Sequence, residues 1–123
     1  MRASSPAPSS RSPRGIERPV SARILLLVQL HAHPGREAAL AAYEARALAV
    51  LSDHGGRLEI AIRPTAALAG EGELPDEVHV VSFPSLAQLQ AYRKDPRIVA
   101  LAAERDAAIA KTTLLVGHRV RDR

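Results

Sequence analysis

Residues 24–31, Ile-Leu-Leu-Leu-Val-Gln-Leu-His, are apolar at odd and even positions alike. A strand of that kind has no face to give to water, so it belongs in the middle of a sheet covered on both sides. His33-Pro34-Gly35 ends the run, and the hydrophobic period then changes. Over residues 36 to about 54, Leu40, Tyr43, Ala47, Leu48 and Leu51 recur at steps of three and four. That spacing predicts a helix, closed by Gly55-Gly56 as a glycine C-terminus closes one.

The same alternation of periods returns further along. Residues 57–63 alternate with period two, with Leu58, Ile60 and Ile62 on one face and Glu59, Ala61 and Arg63 on the other, which predicts a half-polar second strand. Gly70, Gly72 and Pro75 mark residues 64–76 as a long irregular hairpin connection. A third strand covers residues 77–83 and stops at Pro84. Ser85-Leu86-Ala87-Gln88 is a capping box, so a second helix starts at Leu86. Asp95-Pro96 repeats the start signal, so the helix breaks there and restarts through Ile98, Leu101, Ala102 and Ile109. Residues 113–120 form a fourth strand, with Leu114, Val116, His118 and Val120 on one face.

Two β-α-β units with right-handed crossovers interleave into one antiparallel sheet of order 4-1-3-2 with both helices on the same face, an α+β fold of the ferredoxin-like βαββαβ type. The seat for the helices is expected at Ile24, Leu26, Val28 and Leu30, continued by Leu58, Ile60, Ile62, Val78, Val80, Leu114 and Val116. The other face then carries Leu25, Leu27, Gln29, His31, His79, Val81, Phe83 and Leu115. Left bare, its apolar members would make a patch on the order of several hundred Å², so a second copy is expected to cover it in an isologous homodimer.

The β-α-β-β-α-β order, the strand ending in His33-Pro34-Gly35, and Val80-Val81-Ser82-Phe83-Pro84-Ser85 followed by Tyr92 and Asp95-Pro96 resemble the dimeric α/β-barrel superfamily. The closest likeness is to short members of unknown function related to the antibiotic-biosynthesis monooxygenases, and it covers residues 23 to about 120. The resemblance implies a pocket in each subunit between sheet and helices. The superfamily's chemistry ranges over cofactor-free monooxygenases, polyketide cyclases, haem-degrading enzymes, dehydratases and regulatory ligand-binding domains, and the uncharacterised branch carries over no catalytic residues. Haem-degrading relatives need an axial His on a helix facing the sheet, and residues 86–110 contain none.

Charge and composition narrow the rest. The 123-residue chain has a formal net charge of +4. Arg2, Arg11, Arg14, Arg18 and Arg23 against Glu17 account for all of it, so the remaining hundred residues are neutral and show no bias toward a phosphate backbone. Residues 1–22 are rich in Ser, Pro and Arg and are read as a disordered tail, or as an over-extended start with translation from near Val20; residues 23–123 are read as a single domain. With no cysteine there is no disulfide framework, thiolate nucleophile or Cys-based zinc site. No apolar run reaches the ~20 residues of a membrane span, so a soluble, cytoplasmic protein without membrane or nucleic-acid partners is expected.

What remains for chemistry is His, Arg and Tyr. His31 ends the first strand and His79 begins the third; as antiparallel neighbours they are expected to converge, with Arg63 and Thr113 at the same end of the sheet. One of the two histidines would serve as a general base, and Arg63 would hold an anionic or enolate oxygen. The competing reading is a satisfied polar network at the dimer interface. Tyr43 and Tyr92, one per helix, are candidates to line the pocket, and Gln29 joins them as a substrate-binding candidate. His31 and His33 stand at a spacing that binds zinc only with a third ligand from His79, Glu77 or Glu59, so neither metal nor other cofactor is expected. His54 is read as a helix-end cap and His118 as a packed histidine.

Two functions follow as expectations. The first is a homodimeric α/β-barrel protein that binds or converts a small organic molecule, as a cofactor-independent monooxygenase, isomerase or cyclase. The second is a non-catalytic binding or assembly module whose polar residues serve the dimer interface. A solvent-connected cavity within reach of the histidines favours the first.

Overall fold

A computed structural model describes residues 23–121. The segment read as a disordered tail lies outside the described residues. The elements are β1 (Ile24–Ala32), α1 (Glu37–Asp53), β2 (Arg57–Ile62), β3 (Glu77–Phe83), α2 (Leu86–Lys94), α3 (Pro96–Val99), α4 (Ala102–Ala108) and β4 (Ile109–Gly117). The sheet order is β2-β3-β1-β4 with every pairing antiparallel, the expected order read from the other edge.

Local signals act where the sequence carries them. Ser85 Oγ accepts from Gln88 N at 3.2 Å to open α2, and Asp95 Oδ1 accepts from Arg97 N at 2.8 Å to open α3 with Pro96 at its first position. Gly55 takes a φ of 75°, the left-handed conformation that ends α1 without Cβ strain. His54 forms the C-cap, and its Nε2 lies 2.8 Å from Asp95 Oδ2, tying the end of α1 to the α2–α3 junction. Arg97 completes that tie, with Nη2 donating to Asp95 Oδ2 and Nη1 to Asp53 Oδ2, both at 2.8 Å.

The core has two parts. Ile24 and Leu26 of β1, Val81 and Phe83 of β3, Leu51 of α1 and Leu89 of α2 form one; Leu30, Leu40, Ala108 and Ile109 form the other. Half-buried Val28 packs against both.

Three expectations about faces and boundaries are corrected. On β3 the helix-facing residues are His79, Val81 and Phe83, because Leu26 pairs with Val81 and Val28 with His79; Val78 and Val80 lie on the opposite face beside Gln29 and Leu27. Both alternations of this strand carry large apolar residues, Val81 and Phe83 on one and Val78 and Val80 on the other, so parity alone does not choose, and the large Phe83 ring takes the fully buried side. On β2 a bulge between Leu58 and Ile60 reverses the strand's parity, so Leu58 pairs with Val81 while Ile60 and Ile62 pair with Val80 and Val78 on the helix-free face. Finally, β4 starts four residues before the expected 113 and stops at Gly117. Ile109 pairs with Ala32, and His33 N donates to Ala108 O at 2.9 Å, so strand pairing ends the last helix before Ile109 can extend it. His118 therefore lies beyond the strand and is exposed rather than packed.

Candidate functional site

Between the sheet and the helices, where the two parts of the core meet, lies a cavity of about 310 Å³. That is the lower end of the ~300–1,000 Å³ range of small-molecule sites. Leu26, Val28 and Leu30 of β1 and Leu114 of β4 give it an apolar floor, and Ala47, Leu48 and Leu51 of α1 an apolar roof. Tyr43, Glu44, His79, Tyr92, Arg93, Arg105 and Thr112 supply its polar groups.

The cluster at one end is built by two spacings. Residues two apart on a strand share a face, so Glu77 and His79 both project toward the helices. On α1, Leu40, Glu44, Ala47 and Leu51 follow the helical step, which carries Glu44 into the inward stripe. His79 Nε2 lies 2.8 Å from Glu77 Oε1 and 3.5 Å from Glu44 Oε2. Arg63 Nη2 donates to Glu77 Oε2 at 3.1 Å. Glu77 thus accepts from a histidine on one oxygen and an arginine on the other, while Glu44 Oε2 is buried with no hydrogen-bond partner.

These contacts split the two carboxyls. Burial pushes Glu44 up to about 8, aided by the negatively charged Glu77 beside it. Burial also acts to raise Glu77, but the neighbouring Glu44, His79 and Arg63 outweigh it and hold the group below the ordinary carboxylate value. The pair therefore shares one proton, held on Glu44. Burial raises both phenols, Tyr43 and, to about 12, Tyr92, whose shift also reflects the nearby Tyr43. Both remain hydrogen-bond donors across the neutral pH range.

The expected convergence of His31 with His79 does not occur. His79 stands opposite Val28 on the helix face, whereas His31 is opposite Lys111 on the other face, its Nδ1 3.6 Å from Glu73 Oε1. Gln29 is also on that face, between Val78 and Thr113. Thr113 falls in the middle of β4, not at the strand's opening beside Arg63, so it leaves the cluster; Thr112 is the threonine that lines the cavity. Tyr43 and Tyr92 line the cavity as expected. Arg63 reaches the cluster through Glu77, not through the cavity wall. His33, the other half of the possible zinc pair, has Nε2 3.2 Å from Asp106 O. The sequence reading missed Glu44, and its signal was there: one acid in an otherwise apolar helical stripe.

Among the described residues, Glu44, Glu77 and His79 are the group whose donor atoms converge as metal ligands do. No helix among them is long and apolar enough to cross a membrane.

Residues 26–118 match a family described as a domain of unknown function, DUF1330. No curated protein matches the sequence. Among solved structures, the chain is similar to the RPA0582 protein of unknown function from Rhodopseudomonas palustris, with a TM-score of 0.73 and 22% identity over 82% of this chain and 85% of that one. It is also similar to a dimeric protein of unknown function with a ferredoxin-like fold from Bacteroides fragilis, with a TM-score of 0.60 and 10% identity over 80% and 97%. A DABB family protein with a ferredoxin-like fold from Mesorhizobium loti matches with a TM-score of 0.60 and 16% identity over 80% and 98%. At these identities the likeness establishes the ferredoxin-like fold and nothing finer.

Proposed function

The chain belongs to the DUF1330 family of domains of unknown function, and from that premise we propose that it is a homodimeric pocket protein that moves a proton on a small, mainly apolar carbonyl compound without a cofactor. One observation carries this reading: His79, engaged by Glu77 at 2.8 Å, lines an apolar cavity of about 310 Å³ that two phenols also line.

The roles follow from the donors and acceptors. Glu77 accepts from Nε2–H of His79, which leaves the lone pair on Nδ1. His79 removes a proton from the carbon next to the substrate carbonyl. Tyr43 and Tyr92 donate to the carbonyl oxygen and stabilise the enolate, and the apolar walls exclude water that would weaken those bonds. Returning the proton to the same carbon exchanges it, and returning it to another carbon isomerises the substrate, so nothing is oxidised or reduced. Arg63 acts through Glu77 as a positioning residue.

The helix-free sheet face supports the homodimer. Leu25, Leu27, Val78 and Val80 are only half-buried there, and Ile60, Ile62 and Leu115 are about half exposed or more, at 50%, 49% and 55%. An apolar patch of this kind is what a second copy would cover. His31 and Gln29 lie on that face, so we assign them to the interface.

The test is proton exchange. The protein is incubated in D2O with a panel of four- to eight-carbon ketones and 2-oxo acids, and loss of the proton next to the carbonyl is followed by NMR. Wild type should accelerate exchange of at least one member, His79→Ala should lose about 10²- to 10⁴-fold, and His31→Ala should keep it. Exchange that is absent, or equal in His79→Ala, would sink the reading.

A further inference from the structure

We infer that Glu44, Glu77 and His79 form a binding site for one divalent transition-metal cation, zinc being the probe of choice. One donor atom from each lies within 4.8 Å of the others. His79 Nε2 is 2.8 Å from Glu77 Oε1 and 3.5 Å from Glu44 Oε2. A cation bonded to nitrogen and oxygen at ~2.0–2.2 Å holds its ligands about 3.0 to 3.5 Å apart, so the two measured separations bracket that spacing within a few tenths of an ångström.

The second observation is Glu44 Oε2. It is buried, has no hydrogen-bond partner, and lies beside an imidazole nitrogen that already faces another carboxylate. A buried acceptor without a donor is uncommon and calls for an explanation such as an ion. A cation supplies the missing partner. The His79 side chain is itself nine-tenths buried, at 10% exposure.

The surroundings fit as well. Arg63 donates to the outer oxygen of Glu77 at 3.1 Å, as an outer-shell partner orients a ligating carboxylate. One imidazole and two carboxylates suit zinc, manganese or ferrous iron better than copper(I), which prefers sulfur. Three protein ligands leave a coordination position open toward the cavity. Residues 31 and 33, the pair suggested by spacing alone, contribute nothing here, because His31 is on the other sheet face and His33 is held by a backbone carbonyl.

The inference rests on these three side chains and not on the proton-transfer reading, but it adds a regulation of the same site. A cation on Nε2 of His79 fixes the proton on Nδ1 and removes the lone pair that the proposed base uses. Zinc should therefore inhibit the exchange reaction.

The experiment titrates zinc into the chelator-stripped, untagged full chain in competition with a chromophoric chelator. One equivalent per chain is expected, with affinity lowered at least tenfold in Glu44→Gln, Glu77→Gln and His79→Asn and unchanged in His33→Gln. Circular dichroism melts keep only variants that fold, and Glu44→Gln, which replaces one oxygen by an amide, preserves the shape. Absence of saturable binding, or binding that all three variants retain, would overturn the site while leaving the exchange test of the function standing. Zinc binding with no exchange in the stripped protein would overturn the proton-transfer reading and leave the metal site in place.

Discussion

Glu44 Oε2, carried in by α1, stands 3.5 Å from His79 Nε2 on β3. The contact joins a helix to the sheet across the cavity, and it puts a second carboxyl against an imidazole that Glu77 already engages at 2.8 Å. Two carboxyls at such range, one of them buried, do not both ionise freely, and Glu44 is the one that keeps its proton.

The first prediction concerns alkaline pH. In chelator-stripped protein Glu44 keeps its proton to about 8, far above the ordinary carboxylate value. A carboxyl raised by folding contributes stability that is complete below its unfolded value and is lost as pH rises through the folded one, because the folded state then binds the extra proton. The melting temperature should fall between about pH 5 and 9, and Glu44→Gln, which stays neutral, should flatten that slope.

Acid pH tests a different cluster. Hydrogen bonds from Arg97 and His54 hold the Asp95 carboxyl well below its usual range. A depressed carboxylate stabilises above its unfolded value and ceases to do so as pH falls through the folded one. Asp95→Asn should lower the melting temperature at pH 7 and remove part of the loss that wild type suffers below about pH 4.

Two glycines separate space from backbone strain. A Cβ on Gly56 would come within 2.6 Å of Leu51 side-chain carbons and 2.9 Å of a Phe83 ring carbon. Gly56→Ala should cost about 1–3 kcal/mol through overpacking. Gly35 faces open space but has φ of 77°. Gly35→Ala should cost about 1–2 kcal/mol, and Gly35→Asn should recover part of it, because Asn tolerates the left-handed region. Urea unfolding midpoints read both.

For the core, Phe83 is fully buried between β1, α1 and α2. Phe83→Ala should cost about 3–5 kcal/mol in urea unfolding.

The helix-free face is tested by mass in solution. Light scattering after gel filtration should give twice the chain mass for wild type and a single chain mass for Leu115→Glu. A Leu115→Glu protein that remains dimeric would exclude this face as the interface.

Much of the fold is legible in the sequence because its signals are local. The period change at Pro34-Gly35, the capping box at Ser85 and the Asp95-Pro96 break each act within a few residues, and each sets the boundary it predicts. The site is less legible. Tyr43 and Tyr92 announce themselves as the polar members of helical stripes, and Glu44 was readable as an acid inside one. The partnership of His79 with Glu44 and Glu77, and its separation from His31, depend on which way each strand faces.

By itself, then, the sequence determined the order of elements, the antiparallel sheet and the neutrality of residues 24–123. Only the tertiary structure decided which residues share a face. On β3 both parities carry large apolar residues, and on β2 one bulge reverses every side chain beyond Leu58, so the choice falls to cross-strand register and to the burial of Phe83. Register is a property of two strands paired in space, and no single stretch of chain contains it.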